Sequence, residues 1–319
     1  MAPVIEVQNL KKYFPTPRGL LHAVDDVTFT IEKGKTLGVV GESGCGKSTL
    51  GRTIIHLQES TAGKIFLEGK PVNNLKGKAL REAREDMQII FQDPYSSLDP
   101  RKTAEQTIRE PLQVARKYSK AEIEEKTTAL MELVGIDERL RKAYPHELDG
   151  GRRQRIGIAR ALALDPKFVV CDEPVSALDV SIQAQVLNLL KKLQQDRGLT
   201  YMFVTHDMSV VRHISDDICV MYLGQVVEKC PSKELFKNPL HPYTKALLSA
   251  IPSTDIHHPT KRMILKGEIT SPINPKPGCR FAARCPYATE ACQKQEEGQK
   301  QEEVSTGHFV TCCRIHEIG

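Results

Sequence analysis

The sequence predicts an α/β protein organised on a parallel sheet, and three observations carry that prediction. First, "TLGVV" (36–40), "FVVC" (168–171) and "YMFV" (201–204) are unbroken apolar runs, the pattern of strands buried on both faces. Second, each run is followed at once by small, polar or charged residues, and in open parallel sheets the chemistry collects beyond the carboxyl ends of the strands. Third, a helix fits between two of the runs. Asp179 stands at its start, Ile182, Val186, Leu189, Leu190 and Leu193 recur at helical spacing, and Gly198 closes it.

Along the chain, Val27-Thr28-Phe29-Thr30-Ile31 alternates and so predicts a strand with one wet face. Gly41-Glu42-Ser43-Gly44-Cys45-Gly46-Lys47-Ser48, with Thr49 after it, satisfies G-x-x-x-x-G-K-[ST] between a buried strand and a helix expected to begin near Lys47. Glycines let successive backbone N–H groups curl around phosphate oxygens, and the helix N-terminus adds a positive dipole. The Lys47 ammonium then meets the β/γ-phosphates and the Ser48 hydroxyl ligates Mg²⁺. The stretch from about 94 to 150 carries helical patterning ("AEIEEKTTALMELVG") and no strong strand, which predicts an inserted helical subdomain.

The 168–171 run ends in Asp172-Glu173, two adjacent carboxylates at the crevice edge. Asp172 suits holding Mg²⁺ through its water shell, and Glu173 suits accepting a proton from, or orienting, an attacking water. The third run ends in Thr205-His206-Asp207. Pro272, Pro275 and Pro277 break regular structure and predict a linker, and "QKQEEGQKQEE" (293–303) reads as a solvated loop.

Composition sets the outer bounds. The 319 residues, 40% hydrophobic and 27% charged, suit an ordinary globular protein of two domains, and a net charge of +5 is too slight to argue for nucleic acid. No apolar run approaches the roughly 18 residues of a membrane span, and the N-terminus has no signal core, so the chain is expected to stay in the cytosol. Nine cysteines are many for a reducing compartment. Cys279, Cys285, Cys292, Cys312 and Cys313 gather at the end of the chain, which favours a metal site over disulfides. Cys45, Cys171, Cys219 and Cys230 read as packing residues.

Over residues 4–230 this pattern resembles the ATP-binding-cassette (ABC) ATPases. "GESGCGKST" resembles the phosphate loop, "FQDP" with Gln92 the glutamine loop, "LDGGRRQR" the family signature and "CDEP" the metal and catalytic carboxylates. "SALD" (176–179) resembles the loop between subunits and "THD", with His206, the switch histidine. Tyr13 stands where the family places an aromatic that stacks on adenine. The resemblance implies a RecA-like P-loop core with an antiparallel β subdomain and a helical subdomain at about 94–160. It implies catalytic roles for Glu173, His206 and Gln92, and Mg²⁺ held by Ser48, Gln92 and Asp172. Two such subunits would close head to tail, each ATP lying between the phosphate loop of one and the signature (Leu148, Asp149, Gly150, Gly151, Arg152) of the other.

"HPYTKALLSAIP" (241–252), the proline linker and "GCRFAARCP" (278–286) resemble the C-terminal extension of oligopeptide and dipeptide importer ATPases, a group that includes nickel-uptake members. The expected division is a nucleotide-binding domain over 1–230 and an extension over 231–319, with a Cys-rich metal-binding segment at 278–319. The implied partners are a second, different ATPase, two membrane permease subunits and an extracytoplasmic solute-binding protein, with the chain peripheral at the cytoplasmic face of the membrane. The alternatives are a nickel-importer ATPase of the same family and a soluble, non-transport ABC ATPase acting on nucleic acid or ribosomes; against the latter stand a single cassette and the lack of a long basic arm.

Two features remain. Asp149 replaces the serine of the usual signature, and an ionised carboxylate only accepts hydrogen bonds where a hydroxyl would donate one to the γ-phosphate. Protonation, neutralisation by Arg152 or Arg153, or a helix-capping role would each relieve the like-charge repulsion. The spacing of Cys279, Cys285, Cys292 and Cys312 fits neither common zinc ribbons nor bacterial ferredoxins, so Zn²⁺ and an iron–sulfur cluster stand level on spacing. The family resemblance favours a [4Fe–4S] cluster, with Cys312 rather than Cys313 at the family position.

Overall fold

The computed structural model describes residues 3–251, 262–265, 267, 270–294 and 301–318. Strands β1 (Ile5–Thr16), β2 (Gly19–Ile31) and β3 (Thr36–Val40) precede helix α1 (Lys47–Ile54), and β4 (Ala62–Leu67) and β5 (Lys70–Pro71) follow. Helix α2 (Gly77–Asp86) leads into β6 (Met87–Ile90). Three α-helices come next without a strand between them: α3 (Ala104–Ala115), α4 (Lys120–Leu133) and α5 (Gly150–Leu162). Then β7 (Phe168–Asp172), α6 (Val180–Arg197), β8 (Thr200–Thr205) and α7 (Met208–Ile214) alternate. The chain continues through β9 (Asp217–Tyr222), β10 (Gln225–Pro231), α8 (Ser232–Lys237) and α9 (Pro242–Ser249). Its tail supplies α10 (Glu290–Lys294), β11 (Glu302–Ser305), β12 (His308–Val310) and α11 (Ile315–Ile318).

These elements fall into two compact units. One comprises the residues up to Ile5 with Glu32–Lys35 and Leu67–Met202, the other Glu6–Ile31, Thr36–Phe66 and Phe203 onward. In the first, β6 runs parallel to β7 with Met87 opposite Phe168 and Ile90 opposite Cys171. Thr103 and Ser119 start α3 and α4 with reciprocal capping boxes, each satisfying backbone donors that a helix start leaves open. Buried Ile108, Leu112, Leu130, Met131, Ile156 and Ile158 give α3, α4 and α5 their apolar faces. Helix α6 departs in detail from the sequence reading. Asp179 holds the cap position without a side-chain cap hydrogen bond. Leu187 joins Val186, Leu190 and Leu193 on the buried stripe, while Leu189 sits at its edge. The stripe is wide enough to take the neighbour at 187 because it spans about 100° of the helix.

In the second unit the sheet order is β11-β12-β10-β9-β3. β3 pairs parallel with β9, β9 antiparallel with β10, and β10 antiparallel with β12, Glu228 opposite Val310. β1 lies between β2 and β4 in a separate sheet. On β2, Val27, Phe29 and Ile31 are buried and Thr28 and Thr30 exposed, as their alternation requires. Val310 and Ile315 of the tail form a small buried cluster with Leu240. Phe281 inserts into a cluster with Tyr222 and Tyr243, its ring edge-on to Tyr222 at 5.2 Å between centroids. The proline segment is docked on β2: His22 N–H donates to the Pro272 carbonyl (3.0 Å) and Asn274 N–H to that of Leu20 (2.9 Å). Within 293–303, α10 reaches Lys294 and the fully exposed strand β11 begins at Glu302, so its two ends are ordered; 295–300 lie outside the described residues.

Candidate nucleotide site

The loop from Gly41 to Ser48 joins β3 to α1. Gly46 takes a φ of 104° at the N-cap, and a β-carbon there would come 2.0 Å from the Ala23 carbonyl oxygen; at Gly41 it would come 2.2 Å from that of Met221. Only glycine combines such backbone angles with so close an approach of another chain segment. Gly44, at φ 77°, adds a third left-handed turn. Lys47 is buried under this loop, and its Nζ donates to the carbonyls of Gly41 (2.9 Å) and Glu42 (3.0 Å). Cys45 is buried beside it, and burial pushes its thiol pKa up, consistent with a small packing residue. Ser43, Gly44 and Cys45 line a cleft of about 270 Å³ with Glu42, Tyr222, Leu223 and Thr270–Pro272.

Tyr13 on β1 stacks on His22 with ring centroids 3.9 Å apart, and its hydroxyl donates to the Asp25 carboxylate. Burial, then that hydrogen bond, raises the Tyr13 pKa. His206 and Asp207 follow β8 at the surface; Asp207 accepts from Ser209 N–H (2.7 Å) and so starts α7.

In the other unit, the parallel register of β6 and β7 sets Gln92 and Glu173 side by side. Gln92 Nε2 donates to Glu173 Oε2 at 2.9 Å. Asp172 ends β7 fully buried. Glu173 adopts a left-handed φ of 46°, and its carbonyl accepts from Ser176 N–H at 3.3 Å. In the signature, Asp149 is the N-cap of α5: Oδ1 accepts from Arg152 N–H at 2.7 Å and Oδ2 pairs with Arg152 Nη1 at 3.2 Å. Arg153 instead donates to the Leu148 carbonyl (3.0 Å) and lies over the Tyr95 ring. Gly151 leaves room for Ile182, whose Cγ2 lies 2.7 Å from where a β-carbon would stand.

The cysteine tail is assembled from three pieces. Cys279 and Cys285 flank a turn, Cys292 lies on α10, and Cys279 N–H donates to the Cys292 carbonyl at 2.8 Å. β12, held on β10, delivers Cys312 and Cys313; the Cys313 thiol donates to that of Cys292 at 3.7 Å. Burial raises the Cys279 pKa to about 12, and the nearby Cys312, Cys292 and Cys285 thiols add to the rise. Against the pull of burial, hydrogen bonds from Thr289 and Cys313 hold the Cys292 pKa below its ordinary value. A second buried group lies under the tail: Glu228, Cys230 and His308 offer donor atoms within 4.8 Å of one another. The Glu228 oxygens there accept from Leu240 N–H (2.8 Å), His241 N–H (2.9 Å) and His308 Nε2 (2.7 Å). That carboxylate therefore organises the start of α9 and the seat of β12.

Residues 24–176 match the ABC transporter family, and residues 227–292 match the oligopeptide/dipeptide transporter C-terminal region. The chain is 50% identical to the oligopeptide transport ATP-binding protein AppF of Bacillus subtilis, over 97% of this chain and 96% of AppF. It belongs to the ABC transporter ATP-binding subunits. The ABC ATPase is also 48% identical to the dipeptide transport ATP-binding protein DppF of Haemophilus influenzae, over 98% of this chain and 97% of that one. Among solved structures it is similar to the ATP-binding cassette MJ0796 in a dimeric post-hydrolysis state bound to ADP and Pi. That likeness has a TM-score of 0.66 and 29% identity over 72% of this chain and 98% of that one. Another is cbiO1 of Clostridium perfringens, with a TM-score of 0.67 and 28% identity over 75% of this chain and 92% of that one. The chain is thus an ABC ATPase, and no described helix is long and apolar enough to cross a membrane.

Four residues of this ABC ATPase escaped the sequence reading: Asp25, Tyr243, Arg280 and Arg284. The Tyr243 hydroxyl accepts from Glu42 N–H at 2.9 Å, and the two arginines meet Asp25 and Glu42. Both arginines lie within "CRFAARC", between the cysteines that suggest a metal site.

Proposed function

We propose that this ABC ATPase hydrolyses ATP to power import of dipeptides or oligopeptides, bound at the cytoplasmic face of the membrane to two permease subunits fed by an extracytoplasmic binding protein. The observation that carries the reading is the joint one: a buried Lys47 under a glycine loop, in a chain that matches the peptide-transporter C-terminal region as well as the cassette. The proposed division is a nucleotide-binding domain at 1–230, with a helical subdomain at about 94–160, and a C-terminal extension at 231–319.

In this reading the N–H groups of Gly41–Thr49 and the Lys47 ammonium hold the phosphates, and Tyr13 meets the adenine. Ser48, Gln92 and Asp172 would hold Mg²⁺, which supplies charge neutralisation on the phosphates; a buried acid at a strand end suits that ion. Glu173 orients the attacking water and takes its proton, Gln92 fixes the Glu173 carboxylate, and His206 faces the γ-phosphate. Positioning and charge stabilisation supply most of the rate in such in-line transfers. The signature Leu148–Arg152 serves a neighbouring subunit. With Asp149 unable to donate, the partner is a different ATPase with an intact signature, which leaves one active and one weak composite site. Cys279, Cys285, Cys292 and Cys312 would hold a [4Fe–4S] cluster. The backbone bond from Cys279 N–H to the Cys292 carbonyl brings two of these positions together, and the chemistry of such a cluster here would be structural stapling.

Steady-state hydrolysis beside MgATP binding tests the catalytic part. Glu173→Gln keeps native affinity and loses at least about a hundredfold in kcat, the usual scale of a general base; an ordinary kcat in that variant removes the role.

A further inference from the structure

The turn between Cys279 and Cys285 carries two arginines that reach both ends of the nucleotide site. Arg284 grips Glu42 with two parallel bonds, Nη1 to Oε2 at 2.7 Å and Nη2 to Oε1 at 3.0 Å. Its side chain is only 10% exposed and lies over the Tyr222 ring, 5.9 Å from the centroid. Glu42 stands inside the phosphate loop, one residue after Gly41, and its N–H is already fixed by the Tyr243 hydroxyl at 2.9 Å. A carboxylate there is a like charge to any polyphosphate, and a bidentate guanidinium both discharges it and fixes its direction. Arg280, 8% exposed, bonds the Asp25 carboxylate with Nη2 and the Leu223 carbonyl with Nη1. Asp25 in turn accepts from the Tyr13 hydroxyl and meets His22 Nδ1 at 3.2 Å, so Arg280 anchors the carboxylate that orients the Tyr13–His22 stack. The turn is itself closed by Ala282 N–H to the Cys279 carbonyl (3.0 Å) and Cys285 N–H to that of Phe281 (3.0 Å).

We propose that Arg284 and Arg280 are positioning residues for the nucleotide: Arg284 sets and neutralises the phosphate loop through Glu42, and Arg280 fixes the base-side aromatic through Asp25. The cysteine turn thereby braces both the phosphate loop and the Tyr13–His22 stack. This rests on the assignment of the Gly41–Ser48 loop and Tyr13 to ATP.

The test is equilibrium binding of two probes to the purified full-length chain: MgATP, and magnesium tripolyphosphate, which has no base. Arg284→Ala weakens both probes about tenfold, equal to about 1.4 kcal/mol, and Arg284→Lys recovers part of the loss. Arg280→Ala weakens MgATP severalfold and leaves tripolyphosphate at native affinity. In a Glu42→Gln background, Arg284→Ala has a smaller effect, because the charge it neutralises is gone. Native MgATP affinity in Arg284→Ala and Arg280→Ala overturns the proposal, as do equal losses on both probes from both variants, the mark of general loosening. Lys47→Ala is the control. If it binds MgATP as the native chain does, the assignment of the loop to ATP fails; if it loses affinity while the arginine variants do not, only the present inference fails.

Discussion

Asp149 shows how a single side chain is read differently once its surroundings are known. As a bare carboxylate in the signature it opposes a neighbouring γ-phosphate; in place, it caps α5 and pairs with Arg152. Both partners are more than half exposed, so the ion pair itself contributes no more than about 1 kcal/mol. The cap is the larger part, and Asp149→Ala is expected to cost about 1 kcal/mol by denaturant titration. Asp149→Ser keeps a good cap and stays within about 0.5 kcal/mol of native, while restoring the hydroxyl donor. Hydrolysis by the chain alone should therefore rise in Asp149→Ser. Brisk turnover by the native chain, unimproved by that change, contradicts the pairing with a different ATPase.

At the scale of elements, the buried strands were legible because unbroken apolar runs leave few alternatives: "TLGVV" coincides with β3, and "FVVC" and "YMFV" fall within β7 and β8. The glycine loop was legible for a related reason, since its conformation excludes other residues. Gly46→Ala would force a β-carbon against the Ala23 carbonyl, and both MgATP binding and the melting temperature should fall. The tail was not legible. β12 exists by pairing with β10, and Phe281 finds its neighbours in Tyr222 and Tyr243, partners distant in sequence that no local pattern announces. Helix α2, whose residues are all at least partly exposed, gave no apolar stripe to read. The docking of Phe281 yields a prediction of its own. Phe281→Ala should destabilise the chain by about 3–5 kcal/mol, because an aromatic is removed from a closed cluster. A tail folding independently would leave the main thermal transition where it was.

For the whole molecule, acid sensitivity follows from His241, the buried cap of α9 in which Nδ1 accepts from Tyr243 N–H at 3.1 Å. Burial lowers its pKa from 6.5 to about 4, with the nearby Glu228 charge acting the other way. In the window between those values the unfolded chain binds the proton and the folded chain does not. The contribution is therefore complete above the unfolded pKa and is lost as pH falls toward 4, about 3 kcal/mol in all. Glu228, whose pKa lies below its ordinary 4.5, loses its own contribution only at lower pH. Unfolding free energies at pH 7.5 and about pH 5 should differ in the native chain and differ less in His241→Asn, which retains a capping acceptor. Metal content bears on the same tail: anaerobic purification should give brown protein with iron and acid-labile sulfide, lost in Cys285→Ser, whereas zinc in its place rejects the cluster.

The most direct measurement is equilibrium binding of MgATP to the native chain and to Lys47→Ala. The Lys47 ammonium lies against the Gly41 and Glu42 carbonyls, within the loop proposed to receive the phosphates. The expected result is a loss of at least about tenfold in affinity with the fold intact. Equal affinity in the two proteins would contradict the assignment of this loop to ATP, and with it the account of how the molecule works.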